Sequence, residues 1–162
     1  MLYYALTEHG ITAFIVSDES QDVPLSVRCK RENEIFRDQK ARGNRTIFIS
    51  IHADAFERED AEGSTVFYHP KSKAGKRLAE IFYRNMTGNL IRARKPKAAN
   101  YKVLRSTLSP AILIENGFMT NDRDLALLTN DRYRVDIVNS LTKAIQEEIK
   151  LHNAENKRNT TD

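Results

Sequence analysis

Apolar residues recur along this chain at two spacings, one typical of strands and one typical of helices. Short apolar or β-branched runs predict five strands, at 12–17, 46–52, 64–68, 101–104 and 111–115. Helical spacing predicts five helices, at 1–9, 25–42, 72–86, 121–128 and 131 to about 151. This alternation favours a single three-layer α/β domain, in which helices flank a twisted, mixed or mostly parallel sheet.

Turn and capping residues define several of the predicted helix ends. Gly10 and Gly43 follow predicted helices and can take the positive φ with which many helices stop. Ser72 and Asn121 precede predicted helices, and their side chains can accept hydrogen bonds from the first N–H groups. The helix boundaries are therefore predicted from capping chemistry as well as from apolar spacing.

Three further segments are predicted to lack regular structure. Residues 54–63 are polar and acidic, and residues 88–100 form a basic loop around Pro96. After His152 the chain has no large apolar residue to bury, which predicts a disordered tail over 153–162. We therefore place the folded domain at residues 1–152.

The composition is that of a globular protein of 162 residues and 18.6 kDa, with 40% hydrophobic and 30% charged residues. Cys29 is the only cysteine, which excludes an intrachain disulfide framework and a cysteine-based zinc finger. No apolar run approaches the roughly 20 residues of a membrane span. The first residues carry no basic stretch before an apolar one, so no secretory signal peptide is expected.

Positive charge is concentrated in the middle of the chain. Residues 71–105 contain eleven Lys or Arg residues against Glu80 alone, a net charge of +10 in a chain that totals +4. Such a stretch can bind nucleic acid, an anionic polymer or acidic substrate groups, or can simply be a solvated surface. Only Tyr83 and Tyr101 interleave with the charges, too few for the stacking platform that favours nucleic-acid binding.

Two of the predicted buried strands end in an ionisable residue, His52 in one and Glu115 in the other. Ligands of open α/β sheets bind beyond the carboxyl ends of the strands, so the two side chains share one crevice if their strands are near neighbours. An imidazole and a carboxylate there can ligate a metal and transfer protons. The alternative is that each residue only marks where a strand meets solvent.

The other histidines and the cysteine favour structural roles. His9 and His152 stand at predicted helix ends, where an imidazole interacts well with the last carbonyls. His69 follows a strand and is expected at the surface. Cys29 has basic neighbours that could lower its pKa, but no base is paired with it, so a catalytic thiol is not expected.

Four segments in order resemble motifs of the zinc-dependent N-acetylmuramoyl-L-alanine amidases. They are 49–55 (ISIHADA), 63–68 (GSTVFY), 103–105 (VLR) and 110–121 (PAILIENGFMTN). A fifth segment upstream, 22–28 (DVPLSVR) with Asn33, matches the part of the family that precedes the histidine strand. The resemblance runs from about residue 2 to residue 151, and it implies the single α/β domain of that family.

The resemblance implies hydrolysis of the amide that joins N-acetylmuramic acid to L-alanine of the peptidoglycan stem peptide. It implies Zn²⁺ as cofactor, His52 as a zinc ligand, and Glu115 as the carboxylate that takes a proton from water and passes it to the leaving amine. Asn100, Lys102 and Arg105 become candidate substrate contacts. We expect a monomer of the cell envelope that binds peptidoglycan, with no nucleic-acid partner and no membrane span.

The sequence departs from the family pattern in the rest of the zinc site. Family members supply two further ligands, a His in a Gly-His-Gly segment after the first strand and a Glu at the start of the first helix. Neither is found here, and His9 aligns with the wrong end of that helix. Asp54 stands where the family usually has Asn, and its part in metal binding stays open. The chain thus resembles a member without the first strand and the start of the first helix.

Three interpretations fit these departures: an incomplete sequence of an active enzyme, a natural short form, or a site completed by another chain or a remodelled loop. The alternative function is a catalytically inactive, amidase-like module that binds or regulates the cell wall. We expect the chain as written to bind zinc weakly and to have little or no amidase activity, since a lone His gives little affinity.

Overall fold

The computed structural model of the protein describes residues 1–19, 21–54, 61–87 and 92–159. Its helices are α1 (Leu2–Glu8), α2 (Leu25–Ala41), α3 (Lys73–Thr87), α4 (Lys102–Arg105), α5 (Asp122–Leu128) and α6 (Asp131–Asn159). Its strands are β1 (Phe48–Asp54), β2 (Ser64–Tyr68), β3 (Ala93–Ala98) and β4 (Ala111–Phe118).

The strands form one mixed sheet in the order β1-β4-β2-β3. β1 runs parallel to β4, whereas β2 runs antiparallel to β4 and parallel to β3. Helices α1, α3 and α6 cover one face of the sheet, and α2 and α4 cover the other. The predicted three-layer α/β domain with a mixed sheet is therefore confirmed.

Strand β4 connects two apolar clusters because its side chains alternate between the two faces. Ile112 and Ile114 are fully buried in the larger cluster, with residues of α3 and α6. Ala111 and Leu113 are buried in the smaller cluster, beside Cys29 of α2. Burial on both faces explains why β4 is almost continuously apolar in sequence.

The predicted helix ends are found where the capping residues placed them. α1 ends just before Gly10, which has φ 69°, and α2 ends just before Gly43, which has φ 79°. Ser72 Oγ accepts a hydrogen bond from the N–H of Gly75 at 2.9 Å. The side chain of Asn121 accepts from two N–H groups in the first turn of α5.

The strand predicted at 12–17 is wrong, because these residues pair with no strand among the described residues. Their side chains nevertheless alternate as in a strand. Ile11 and Ala13 pack on the larger apolar cluster, and Val16 packs on the smaller one. The residue pattern is that of a strand, but no backbone in the described part of the chain pairs with it.

The basic loop predicted at 88–100 is wrong for residues 93–98, which form the edge strand β3. Proline usually argues against a strand, but Pro96 lies where the register with β2 shifts by one residue. Such an irregularity lets an edge strand tolerate a missing N–H group. The rest of that prediction at 88–91, and the loop predicted at 54–63 over 55–60, lie outside the described residues.

Two further local predictions are wrong. Residues 102–105 form the short helix α4 rather than a strand at 101–104, and both Val103 and Leu104 are buried in the smaller apolar cluster. Successive residues of a strand would point to opposite faces. Residues 153–159, expected to be a disordered tail, continue α6, where Glu155 pairs with Arg77 at 2.9 Å. The domain limits of 1–152 stay a prediction.

Candidate active site

The two ionisable residues lie side by side, but the prediction that they end their strands is wrong, because β1 continues to Asp54 and β4 to Phe118. His52 of β1 is the register partner of Glu115 of β4, and the two strands are parallel neighbours. Adjacent strands lie about 4.8 Å apart, and register partners project their side chains from the same face. The imidazole and the carboxyl group therefore project from the same face, in the carboxyl-terminal halves of the two strands.

The face of the sheet that carries the pair is the one covered by α2 and α4. Phe48 and Leu113 stand on this face farther back along the same strands and pack in the smaller apolar cluster. Thr65 of β2 is the antiparallel partner of Glu115 and is buried. The candidate site thus has an apolar wall behind it.

His52 is held by contacts at both its ring and its backbone. Its Nε2 atom lies 2.7 Å from Ser50 Oγ, and its carbonyl oxygen accepts a hydrogen bond from Asn116 Nδ2 at 3.1 Å. Burial and the positive charge of Arg28 lower the pKa of His52. The ring is therefore neutral at physiological pH, the form in which an imidazole can accept a proton or ligate a metal.

Glu115 is a partly buried carboxyl group with an unpaired oxygen. Burial raises its pKa to about 7, and the nearby charge of Asp54 acts in the same direction. Its Oε2 atom is buried and has no hydrogen-bond partner among the described residues. A carboxyl group whose pKa lies near 7 can both accept and donate a proton under physiological conditions.

Arg28 and Tyr101, which were not among the predicted site residues, lie within electrostatic reach of the pair. The charge of Arg28 acts on His52, while the charges of Asp54 and Glu115 help raise the pKa of Tyr101, after the larger effect of burial. Tyr101 packs edge-on against Phe67 with ring centroids 5.3 Å apart. Strand alternation from His52 could have found Ser50, whereas Tyr101 is placed by its packing on Phe67 of β2, which no local pattern shows.

The predicted substrate contacts cluster at the start of α4. Arg105 Nη1 donates a hydrogen bond to the carbonyl oxygen of Asn100 at 2.8 Å, and both Lys102 and Arg105 are exposed. Tyr101 sits between Asn100 and Lys102 in sequence, and its pKa is raised by burial, by the charge of Asp54 and by that of Glu115. The structure therefore places this basic segment on the same side of the sheet as the candidate site.

The remaining candidates lie outside the pair. His9 follows α1 and is exposed, His69 follows β2, and His152 lies within α6 rather than at its end. Cys29 is buried in α2, and its burial raises its pKa despite the basic residues nearby. The basic neighbours therefore do not make it a reactive thiolate.

The donor set does not amount to a full zinc site in the described part of the chain. Catalytic zinc takes three protein ligands and keeps a fourth position open. No group of three or more His, Cys, Asp or Glu side chains lies close enough to hold a metal ion within 1–19, 21–54, 61–87 and 92–159. His52 and Glu115 thus supply at most two metal ligands, one fewer than the three that catalytic zinc needs.

These features define an α/β domain that carries an imidazole–carboxyl pair at the carboxyl edge of its sheet. The chain belongs to the N-acetylmuramoyl-L-alanine amidase family, whose family model matches residues 1–147. This match confirms the resemblance seen in the sequence motifs. None of the described helices is long and apolar enough to cross a membrane.

Curated relatives and solved structures agree with this membership. The chain is 29% identical over 140 residues to the endolysin of Bacillus phage SPP1, covering 78% of this chain and 51% of the endolysin. It is 33% identical over 107 residues to the probable cell wall amidase LytH of Staphylococcus aureus, covering 65% of this chain and 34% of LytH. It therefore spans about half of the first relative and about a third of the second.

A solved structure shows the same fold over nearly the whole chain. The N-acetylmuramoyl-L-alanine amidase AmiC2 of Nostoc punctiforme matches with a TM-score of 0.77 and 28% sequence identity. The match covers 92% of this chain and 78% of AmiC2. The monomeric state of the present chain stays a prediction.

Proposed function

We propose that this domain hydrolyses the amide bond between N-acetylmuramic acid and the L-alanine of peptidoglycan stem peptides. The observation that carries the proposal is the register pairing of His52 with Glu115 in a member of the amidase family. Amide hydrolysis needs a group that removes a proton from water and returns it to the leaving amine. Glu115 is the residue best suited to that role.

The surroundings of Glu115 support this assignment in two ways. A carboxyl group with a pKa of about 7 is present partly as base and partly as acid near neutral pH. Its buried Oε2 atom has no partner among the described residues, so it is available to a water molecule or to the substrate amide. Because the ring of His52 beside it is neutral, that ring adds no positive charge that would lower the pKa of Glu115.

His52 is the proposed zinc ligand, with Zn²⁺ as the proposed cofactor. Because the described residues do not bring a third donor to the pair, we expect weak zinc binding, little or no turnover at ordinary zinc concentrations, and slow turnover once zinc is saturating. The exposed cations Lys102 and Arg105, with Asn100, are proposed to contact the carboxylates of the stem peptide. Action on cell-wall peptidoglycan also makes the cell envelope the proposed location.

The test is release of stem peptides from purified peptidoglycan at saturating zinc, detected as new L-alanine amino termini by mass spectrometry. We expect slow release by the unaltered chain and a loss of at least about 100-fold with Glu115→Gln, the range for removing a general acid–base group. Glu8→Gln, which alters an exposed carboxylate in α1, is the matched control and should retain full release. Equal release by Glu115→Gln and the unaltered chain would refute the role of Glu115, and no release above a protein-free blank would refute the proposed function.

A further inference from the structure

An exposed aromatic ring stands on the face of the sheet that carries His52 and Glu115. Tyr101 is 42% exposed, although it packs edge-on against Phe67 with ring centroids 5.3 Å apart. Phe67 lies two residues beyond Thr65 on β2, and Thr65 is the register partner of Glu115. Because alternate residues of a strand share a face, Phe67 holds the ring of Tyr101 on the side of the sheet from which Glu115 projects.

The backbone of Tyr101 is fixed on both sides, so its ring has a rigid support. Its carbonyl oxygen accepts hydrogen bonds from the N–H groups of Leu104 and Arg105, both at 3.1 Å. Leu104 is buried in the smaller apolar cluster, which anchors α4. Upstream, the N–H of Ala99 donates to the carbonyl oxygen of Tyr68, at the end of β2, at 2.9 Å. A group that is already ordered loses little conformational entropy when it binds a ligand.

The electrostatic surroundings of the ring favour an uncharged ligand. Burial raises the pKa of Tyr101, and the negative charges of Asp54 and Glu115 act in the same direction, so the hydroxyl group stays protonated near neutral pH. The same two charges repel the carboxylates of a stem peptide, which the exposed cations Lys102 and Arg105 are proposed to attract. Tyr101 therefore offers an uncharged and largely apolar surface beside the candidate catalytic pair.

The substrate of the proposed function has a neutral, rigid ring next to the bond that is cut. The amide joins L-alanine to the lactyl group of N-acetylmuramic acid, so the sugar lies on one side of it and the charged stem peptide on the other. One face of such a sugar carries C–H groups that can pack on an aromatic side chain. We propose, on the basis of the proposed function, that the ring of Tyr101 binds the N-acetylmuramic acid ring and so holds the amide beside Glu115.

Tyr3 of α1 provides a matched control for Tyr101. It is 38% exposed, close to the value for Tyr101, and it packs edge-on against Tyr4 with ring centroids 5.4 Å apart. Helix α1 covers the opposite face of the sheet, with the larger apolar cluster. Removal of the Tyr3 ring is therefore the same chemical change in a similar setting, away from the candidate site.

The test compares two soluble ligands that differ only in the sugar. One is N-acetylmuramoyl-L-alanyl-D-glutamate, and the other is D-lactoyl-L-alanyl-D-glutamate, which keeps the amide and the carboxylates but lacks the sugar ring. The full chain is titrated with each ligand by NMR, in a chelator so that neither is hydrolysed. We expect the muramoyl ligand to bind about tenfold more tightly, the scale of one aromatic contact. Its sugar C–H protons should shift upfield on binding, because they lie over an aromatic ring.

Variants of Tyr101 separate the effect of its ring from that of its hydroxyl group. Tyr101→Ala should weaken binding of the muramoyl ligand about tenfold, remove the upfield shifts, and leave binding of the lactoyl ligand unchanged. Tyr101→Phe keeps the ring, so it should bind both ligands as the unaltered chain does, and so should Tyr3→Ala. A purely structural role of Tyr101 would change the affinity for both ligands alike, so the difference between the ligands reports contact with the sugar.

Three results would overturn the proposal. The first is no gain in affinity from the sugar, including no binding of either ligand at millimolar concentration. The second is an equal loss of both ligands in Tyr101→Ala, since the ring would then support the fold or contact the peptide. The third is a loss in Tyr101→Phe as large as in Tyr101→Ala, since the hydroxyl group would then be the contact. Release of stem peptides from peptidoglycan enters none of these readouts, so failure here is distinct from failure of the proposed function.

Discussion

At the scale of single residues, the environment of Glu115 decides what this carboxyl group can do. Burial and the neighbouring charge of Asp54 raise its pKa to about 7, while burial and Arg28 lower the pKa of His52. Glu115 can therefore exchange a proton near pH 7, whereas the lowered pKa of His52 favours its neutral ring there. The sequence could predict that His52 and Glu115 lie in buried strands, but not where those strands end, and the burial of the pair and the position of Arg28 depend on the packing of α2.

The raised pKa of Glu115 predicts a pH-dependent cost to folding. Below its unfolded pKa of about 4.5 the group is protonated in both states, and between about 4.5 and about 7 the unfolded chain has released the proton that the folded chain retains. Stability should therefore fall over this interval. In chelator, Glu115→Gln should be more stable than the unaltered chain by about 1–2 kcal/mol at pH 8 relative to pH 5, after allowance for solvent screening.

Chemical denaturation of both chains at pH 5 and pH 8 measures this difference. Glu8→Gln changes an exposed carboxylate and should track the unaltered chain at both pH values. If the difference between Glu115→Gln and the unaltered chain does not change with pH, the pKa of Glu115 is not raised.

At the scale of secondary-structure elements, pairing and capping explain which sequence predictions succeed. The helix stops at Gly10 and Gly43 and the caps at Ser72 and Asn121 depend on local chemistry, so the sequence contains all that is needed to predict them. The strand expected at 12–17 depends on a partner backbone, which no local pattern reveals. Edge strand β3 was missed because a register shift accommodates Pro96, and that shift also depends on the partner.

The helix α5 is tied to the sheet by one buried carboxylate. Asp124 Oδ2 accepts hydrogen bonds from the N–H of Gly63 at 2.8 Å and from the N–H of Phe118 at 2.9 Å. Asp124→Ala would leave both donors without this partner in a buried setting, so we expect a loss of about 3 kcal/mol in the free energy of unfolding.

Urea denaturation of Asp124→Ala provides the measurement. Asp122→Ala, in the same helical turn but exposed, is the matched control and should cost less than about 1 kcal/mol. Equal losses in the two variants would show that the buried hydrogen bonds do not hold α5 to β4.

At the scale of the whole molecule, the sheet and its two apolar clusters bring distant residues of the chain into one site. β1 and β4 are separated by more than 50 residues in sequence, yet they are parallel neighbours with His52 opposite Glu115. The alternation of elements predicted the α/β class correctly. That alternation does not predict the strand order, because it does not show that β4 inserts between β1 and β2.

The larger apolar cluster holds helices α1, α3 and α6 against the sheet. Leu141 of α6 is 1% exposed within it, whereas Val135 of the same helix is 45% exposed. Leu141→Ala should lower the free energy of unfolding by about 2–5 kcal/mol, and Val135→Ala by less than about 1 kcal/mol. Calorimetry that shows equal effects would contradict the assignment of this cluster as the core.

The account depends on an imidazole at residue 52 and a carboxyl group at residue 115 that face one another closely enough to act together. A zinc titration followed by NMR of the His52 ring nitrogens and the Glu115 carboxyl carbon tests this directly, with exposed His9 as the internal reference. We predict that both signals move together, with one weak apparent dissociation constant, while His9 does not respond at those concentrations. Movement of His52 without Glu115, or of neither, would contradict a shared site.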